Sequence, residues 1–270
     1  MATIHAKKSL GQHFLFDENI LRRIADASDI RNGETVIEIG PGTGALTKHL
    51  LEHPLERLVA FELDDRAVEV LKQEITDERF EVVHTDFMKT DLQTISNGAM
   101  LNVIGNIPYY ITSPIIFKIL EDRSVVRSAT MLVQLEVAER LAATPRTKAY
   151  GIPTVISQCL AEVTLLFKVK AGSFSPPPKV DSAVVRLDFT KDYFTRNDLP
   201  KPAHFDDRTF SRMVRSLFAM RRKTIRNNLK AYRPESIASP LLESYLNKRA
   251  EELSVGEFIE LHGILASIQA

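Results

Sequence analysis

The sequence predicts an α/β fold, a doubly wound, mostly parallel seven-stranded sheet, followed by a small all-helical C-terminal domain. Three observations carry this. Apolar runs alternate with stretches of helical periodicity through most of the chain, the pattern of βαβ units. The run Thr35-Val36-Ile37-Glu38-Ile39 passes straight into Gly40-Pro41-Gly42-Thr43-Gly44 and then into Ala45-Leu46-Thr47-Lys48-His49-Leu50-Leu51. That strand, glycine turn and helix bring a ligand close to backbone N–H groups. Beyond about residue 203, only amphipathic helical spacing remains.

Taken in order, Lys7-Lys8 is followed by the polar-then-apolar Ser9-Leu10-Gly11-Gln12-His13-Phe14-Leu15. Asp17 caps a helix with Ile20, Leu21, Ile24 and Ala25 on one face. After the glycine turn, a strand over 58–61 ends on Glu62, 22 residues beyond Gly40, where an acid can accept ribose hydroxyls. Asp64 caps a helix with Val68, Leu71 and Ile75 inward, and a strand over 80–85 ends on Asp86. The fourth strand, 101–104, ends on Gly105-Asn106-Ile107-Pro108-Tyr109-Tyr110. Ser113 and Pro114 open the next helix, which carries Ile115, Ile116, Ile119 and Leu120. Strands over 129–133, 163–167 and 183–187 follow, with helices at 135–143 and 153–161.

In a parallel sheet, the ends bearing Gly40, Glu62, Asp86 and Asn106 lie side by side on the ligand-binding edge. The loop alone leaves the nucleotide open. Gly40, Gly42 and Ala45 also satisfy the dinucleotide pattern G-x-G-x-x-G/A, so an NAD-linked oxidoreductase stays in view. The ending at Asn106 adds chemistry. Its side-chain oxygen and the Pro108 carbonyl can hold the two hydrogens of a planar amine, while Tyr109 offers a face for the ring. Further on, Pro176-Pro177-Pro178 forms a stiff rim that fixes Phe174.

The domains are expected at 1–190 and 203–270, joined by a polar, proline-containing linker over 191–202. Within 208–233 stand nine Lys or Arg and no Asp or Glu, on the helical apolar spacing of Phe210, Val214, Leu217, Phe218, Ile225 and Leu229. A charge so dense reads as a contact surface for a phosphate backbone. Ser254 and Glu257 form a capping box before a last helix over 258–268.

The totals exclude several classes. With 35 Lys+Arg against 35 Asp+Glu, any nucleic-acid partner must be met by a local patch. The single cysteine, Cys159, rules out an intrachain disulfide and the paired-cysteine zinc site of a nucleobase deaminase, so no metal is expected. No apolar run approaches the roughly 18 residues of a membrane span, and no signal segment is evident. The expectation is a soluble cytoplasmic protein with no membrane partner; the sequence does not reveal the oligomeric state, for which a monomer is the default.

The chain resembles the small-subunit rRNA adenine-N6,N6-dimethyltransferases of the KsgA type, from about Lys7 to the last helix. The resemblance rests on Lys8-Ser9-Leu10-Gly11-Gln12-His13-Phe14-Leu15, Glu38-Ile39-Gly40-Pro41-Gly42 and Asn106-Ile107-Pro108-Tyr109. These three are shared with Erm-type 23S rRNA methyltransferases. Phe174-Ser175-Pro176-Pro177-Pro178-Lys179-Val180-Asp181-Ser182-Ala183-Val184 and Arg221-Arg222-Lys223-Thr224-Ile225-Arg226-Asn227 favour the small-subunit branch.

The resemblance implies a class I, Rossmann-like methyltransferase fold with S-adenosylmethionine as cofactor. Its substrate would be two adjacent adenosines in the 3'-terminal hairpin of 16S-type rRNA within a pre-ribosomal particle. An Erm-type enzyme and a non-catalytic assembly factor are the alternatives. By the same resemblance, His13 and Leu15 touch the methionine end of the cofactor, over Gly40 in the turn with Gly42 and Gly44. Glu62 takes the ribose, Asp86 the adenine amine, and Asn106 both cofactor and target. Tyr109 and Phe174 sandwich the target base, and Arg221, Arg222, Lys223 and Arg226 grip RNA. One departure stands out: the family commonly has Asn where this chain has His13, whose imidazole can still donate a hydrogen bond.

Overall fold

The computed structural model describes Lys7, residues 11–203 and residues 205–268. The Lys8-Ser9-Leu10 part of the N-terminal motif lies outside them. The strands are β1 (Phe14–Leu15), β2 (Thr35–Ile39), β3 (Arg57–Glu62), β4 (Phe80–His84), β5 (Leu101–Asn106), β6 (Val126–Gln134), β7 (Glu162–Val169), β8 (Phe174–Ser175) and β9 (Ser182–Asp188).

Seven of them form one sheet in the order β4-β3-β2-β5-β6-β9-β7. Strands β2 to β6 pair in parallel, and β9 runs antiparallel to β6. β2 is buried from Val36 to Ile39, which explains its unbroken apolar reading apart from Glu38. From β2 the chain steps outward through β3 and β4, then returns to place β5 on the other side. The point where the order reverses is where such sheets bind ligands.

β5 runs two residues beyond the expected 101–104, because Gly105 and Asn106 still pair with Met131 and Leu132 of β6. Only glycine fits at 105: a Cβ there would meet the Ile39 carbonyl oxygen at 2.6 Å. The following helix, Thr112–Glu121, starts a residue before the expected Ser113 cap.

Buried carboxylates and cations close the N-terminal edge of the parallel strands. Arg127 on β6 grips Glu34 with Nε on Oε1 at 2.6 Å and Nη2 on Oε2 at 3.0 Å. Its Nη1 also meets Asp29 Oδ2 at 3.2 Å, and Arg31 N donates to Glu34 Oε2 at 3.0 Å. Asn102 donates to the Ser28 carbonyl at 2.8 Å and accepts from Ser128 Oγ at 3.1 Å.

The chain divides into two compact units, 1–138 with 164–190 and 139–163 with 191–270. This corrects the expected division at 190 and 203. The helix Ile152–Leu160 packs with Asp207–Phe218 and Val255–Ser267, and the Tyr150 hydroxyl donates to the Leu253 carbonyl at 2.8 Å. These partners are too distant in sequence for local pattern to show. Nor is 191–202 a linker. Tyr193–Arg196 is a helical turn capped by Asp192, and its buried Phe194 packs its ring 5.0 Å from that of Phe205. Further on, the Ser254–Glu257 capping box forms in both directions, at 3.2 and 2.8 Å. Among the described residues, no helix is long and apolar enough to cross a membrane.

Candidate active site

Four adjacent strand ends build the site. β2 delivers Gly40 and Gly42, β3 delivers Glu62, the turn after β4 delivers Asp86, and β5 delivers Asn106. All five line one solvent-open cleft of about 780 Å³, with His13, Ile107, Pro108 and Tyr109. Its apolar walls include Ile39, Phe61, Leu63, Phe87 and Ile115. Apolar walls with a few convergent polar groups suit a small organic ligand.

Glu62 is held by three backbone N–H groups. Leu63 N and Asp64 N donate to Oε1 at 2.8 and 2.9 Å, and Gly42 N donates to Oε2 at 3.0 Å. The carboxylate thus ties the glycine turn to the end of β3, and few of its roughly four acceptor sites stay open. Asp86 is half-buried and caps the turn after β4 by accepting from Met88 N at 2.9 Å.

The Asn106 amide has a defined orientation. Its Nδ2 donates to the His13 carbonyl at 3.0 Å, so Oδ1 is the atom left to accept. The Pro108 carbonyl does not join it. It accepts from Ile111 N at 3.2 Å and Thr112 Oγ1 at 3.1 Å, which occupies both lone pairs at the start of the next helix. This corrects the expected acceptor pair. Among the described residues, the Ile107 carbonyl, one residue nearer Asn106, receives no hydrogen bond, and Ile107 lines the cleft.

Phe174 is the second correction. It sits in β8, paired antiparallel with β1, and is 2% exposed in the core with Leu15, Leu21, Ile24 and Val184. A ring so buried has no face for a base. What stacks on Tyr109 is the His13 imidazole, with centroids 5.5 Å apart and planes at 27°. His13 Nδ1 lies 2.8 Å from the Pro176 carbonyl, which can only accept, so Nδ1 carries the proton. The Tyr109 hydroxyl pairs with Ser182 Oγ at 2.7 Å, and burial raises the phenol's pKa.

Gly44 stands apart from the cleft, while Leu15 lies at a cavity that shares Phe14, Gly40, Gly42 and Asn106 with it. Leu15 is buried beside Phe174 and lines that smaller cavity with Glu38, Gly40, Thr43 and Leu46. Gly44 has φ +83°, and a Cβ there would meet Leu71 at 2.9 Å, so its role is to turn and pack the chain.

Glu38 received no role from its sequence. It is 1% exposed, and Oε2 has no hydrogen-bond partner. Burial pushes its carboxyl up to about 8; the nearby Thr47 hydroxyl opposes the shift and the charge of Glu62 adds to it. The available signal was a lone acid inside an otherwise apolar strand.

In the second unit the basic residues differ among themselves. Arg221 is engaged, with Nε on Glu251 Oε2 at 2.8 Å and Nη2 on the Lys148 carbonyl at 2.9 Å. Among the described residues, Arg222 and Lys223, both exposed, and half-buried Arg226 have no such partner.

A model of the ribosomal RNA adenine dimethylase family matches residues 3–267. The chain belongs to the ribosomal RNA adenine dimethylase family. A relative from Chlorobium phaeobacteroides strain BS1, named ribosomal RNA small subunit methyltransferase A, is 44% identical over 96% of this chain and 93% of its own. The Geobacter metallireducens protein of the same name is 41% identical over 96% and 94%. Among solved structures, the chain is similar to a dimethyladenosine transferase from Plasmodium falciparum, with TM-score 0.78 and 26% identity over 95% of this chain and 98% of that one. The 23S rRNA methyltransferase ErmE follows with TM-score 0.71 and 28% identity over 94% and 99%. This adenine dimethylase thus has the class I methyltransferase fold.

Proposed function

We propose that this chain dimethylates the N6 amines of two adjacent adenosines in the 3'-terminal hairpin of small-subunit rRNA, drawing methyl groups from S-adenosylmethionine. The observation that carries it is the Asn106 amide, fixed with Oδ1 as the open acceptor in a cleft built at the glycine turn. The small-subunit substrate is supported by the names of the relatives at 41–44% identity.

The residues fit the cofactor. Gly40 and Gly42 let it approach the backbone, Glu62 would meet the ribose and Asp86 the adenine amine. Glu38, with an orphaned buried oxygen at the neighbouring cavity, would meet the ammonium of the methionine end. S-adenosylmethionine supplies a methyl group on a positively charged sulfur.

The chain's own residues prepare the acceptor. An exocyclic adenine amine is a poor nucleophile, because its lone pair is delocalised into the ring. Asn106 Oδ1 and the Ile107 carbonyl accept its two N–H bonds and draw the nitrogen toward tetrahedral geometry. Tyr109, braced by Ser182, stacks on the base, so catalysis is mainly positioning. The released proton passes to water. After one transfer a single N–H remains, so one acceptor alone then holds the amine. The base must lie outside a duplex stack to enter.

Incubating the protein with partially assembled small subunits and S-adenosylmethionine, then weighing the adenosines by mass spectrometry, tests the proposal. Dimethyladenosine in the small-subunit rRNA is the expected product; modification of 23S rRNA alone would favour the Erm-type reading, and calorimetric binding of NAD alone would end both. Replacing Arg222 and Lys223 by Ala should weaken RNA binding at every sequence and flatten its salt dependence by about two phosphate contacts. The same change at Arg221 should act instead through the Lys148 and Glu251 contacts it holds.

A further inference from the structure

Residues 11–15 cross the ends of three strands and are pinned at each. At β3, Gln12 Nε2 donates to Asp64 Oδ2 at 3.2 Å, and Lys7 Nζ lies 3.0 Å from Asp64 Oδ1. At β2, the Phe14 ring packs on Gly42, where an added Cβ would come within 2.9 Å of it. At β5, the His13 carbonyl accepts from Asn106. In sheet order these ends are consecutive, so the segment spans the nucleotide cleft, and Gly11, Gln12, His13 and Phe14 line it. A ligand seated on Gly40, Glu62 and Asn106 would lie beneath it.

The pin at Asp64 is built to open. The Asp64 side chain is wholly buried, and stripping a buried carboxylate of its partners is costly. Here release of Gln12 and Lys7 leaves the carboxylate paired, because Arg66 holds both oxygens from the helix that Asp64 caps. Its Nε meets Oδ1 at 3.0 Å and its Nη2 meets Oδ2 at 2.6 Å. The other half of the pin is weak: Lys7 is 39% exposed, and Gln12 contributes one charge-assisted bond. Gln12 is itself braced, since its Oε1 accepts from Lys7 N at 2.9 Å. By contrast, the far end of the segment joins β8 through the buried Leu15–Phe174 pair. With Phe14 paired to Ser175 and His13 Nδ1 on the Pro176 carbonyl, the segment is anchored over 13–15, and its free end at Gln12 is latched at Asp64.

We propose that Gln12 and Lys7, closing on Asp64, are the latch that sets how fast the cofactor enters and leaves the cleft. The proposal rests on the reading of that cleft as an S-adenosylmethionine site. Its consequence lies between the two transfers. Two methyl groups on one adenine need two cofactor molecules, so the latch opens at least once between the steps.

The test uses Gln12→Ala, Lys7→Met and the double variant, which leave Arg66 in place. Dissociation of S-adenosylhomocysteine is followed by stopped flow, and hydrogen exchange of amides 11 and 12 is followed in the unliganded protein. The double variant is expected to raise both rates about tenfold, the size of one charged hydrogen bond. Gln12→Glu, which sets a second carboxylate against Asp64, should give the same acceleration if the Ala variant is unstable. Unchanged exchange of amides 11 and 12 in folded variants overturns the latch. Faster exchange with an unchanged dissociation rate overturns it too, whereas a folded protein that binds no S-adenosylhomocysteine overturns the reading of the cleft.

Discussion

Two buried glutamates four residues apart, Glu34 and Glu38, show what separates the two edges of this sheet. Glu34, at the N-terminal edge, accepts from Arg127, Arg31 N and Asn102. Glu38, near the C-terminal edge, is more deeply buried, yet its Oε2 has no partner and its carboxyl is pushed up to about 8. Burying a charge is tolerable when it is paired, and costly otherwise. One edge is closed by its own residues. At the other, among the described residues, three acceptors receive no hydrogen bond: Glu38 Oε2, Asn106 Oδ1 and the Ile107 carbonyl.

The largest effect is expected at the closed edge. Arg127→Ala leaves Glu34 buried without its cation and should cost about 3–5 kcal/mol of stability, read by denaturant unfolding. A loss below about 1 kcal/mol would mean that Glu34 is solvated after all.

At the open edge, Asn106→Ala should lower the methyl-transfer rate by about 10²–10³ with RNA binding kept. Stability should change little, since the amide makes one hydrogen bond to the segment above it. Activity close to that of the unaltered protein would show that the acceptor lies elsewhere.

The finest test is Glu38→Gln. A carboxyl held at about 8 when folded, and titrating in the ordinary range when unfolded, binds more protons folded between those values. Stability from this group is therefore complete at acid pH and falls as pH rises through the window, on the order of 1 kcal/mol per unit. Binding of a cationic ligand beside it should expel that proton at pH 7. Titration calorimetry with S-adenosylmethionine in buffers of different ionisation enthalpy should show close to one proton released by the unaltered protein and none by the Gln variant.

Much of the site was legible because it is local. Gly40, Glu62, Asp86 and Asn106 each stand where a strand ends, and a strand end can be read from the residues beside it. Parallel pairing then brings those ends together. The same holds for the Asp17, Asp64 and Ser254 caps, whose partners are two or three residues away. Phe174 was misplaced for the opposite reason. Its neighbours are Leu15 and Val184, and the proline rim that fixes its backbone does not say which way the ring faces.

The sequence by itself determined the order of the elements, the glycine turn and the set of polar residues at the ligand edge, because periodicity and capping act over a few residues. Only the tertiary structure decided which of those groups remain free. It gave the Pro108 carbonyl to Ile111 and Thr112, Arg221 to Glu251 and Lys148, and Tyr109 to His13 and Ser182. It left Glu38 Oε2 alone in the interior. Whether a polar group is satisfied depends on every chain segment folded against it, and that is a property of the assembled molecule.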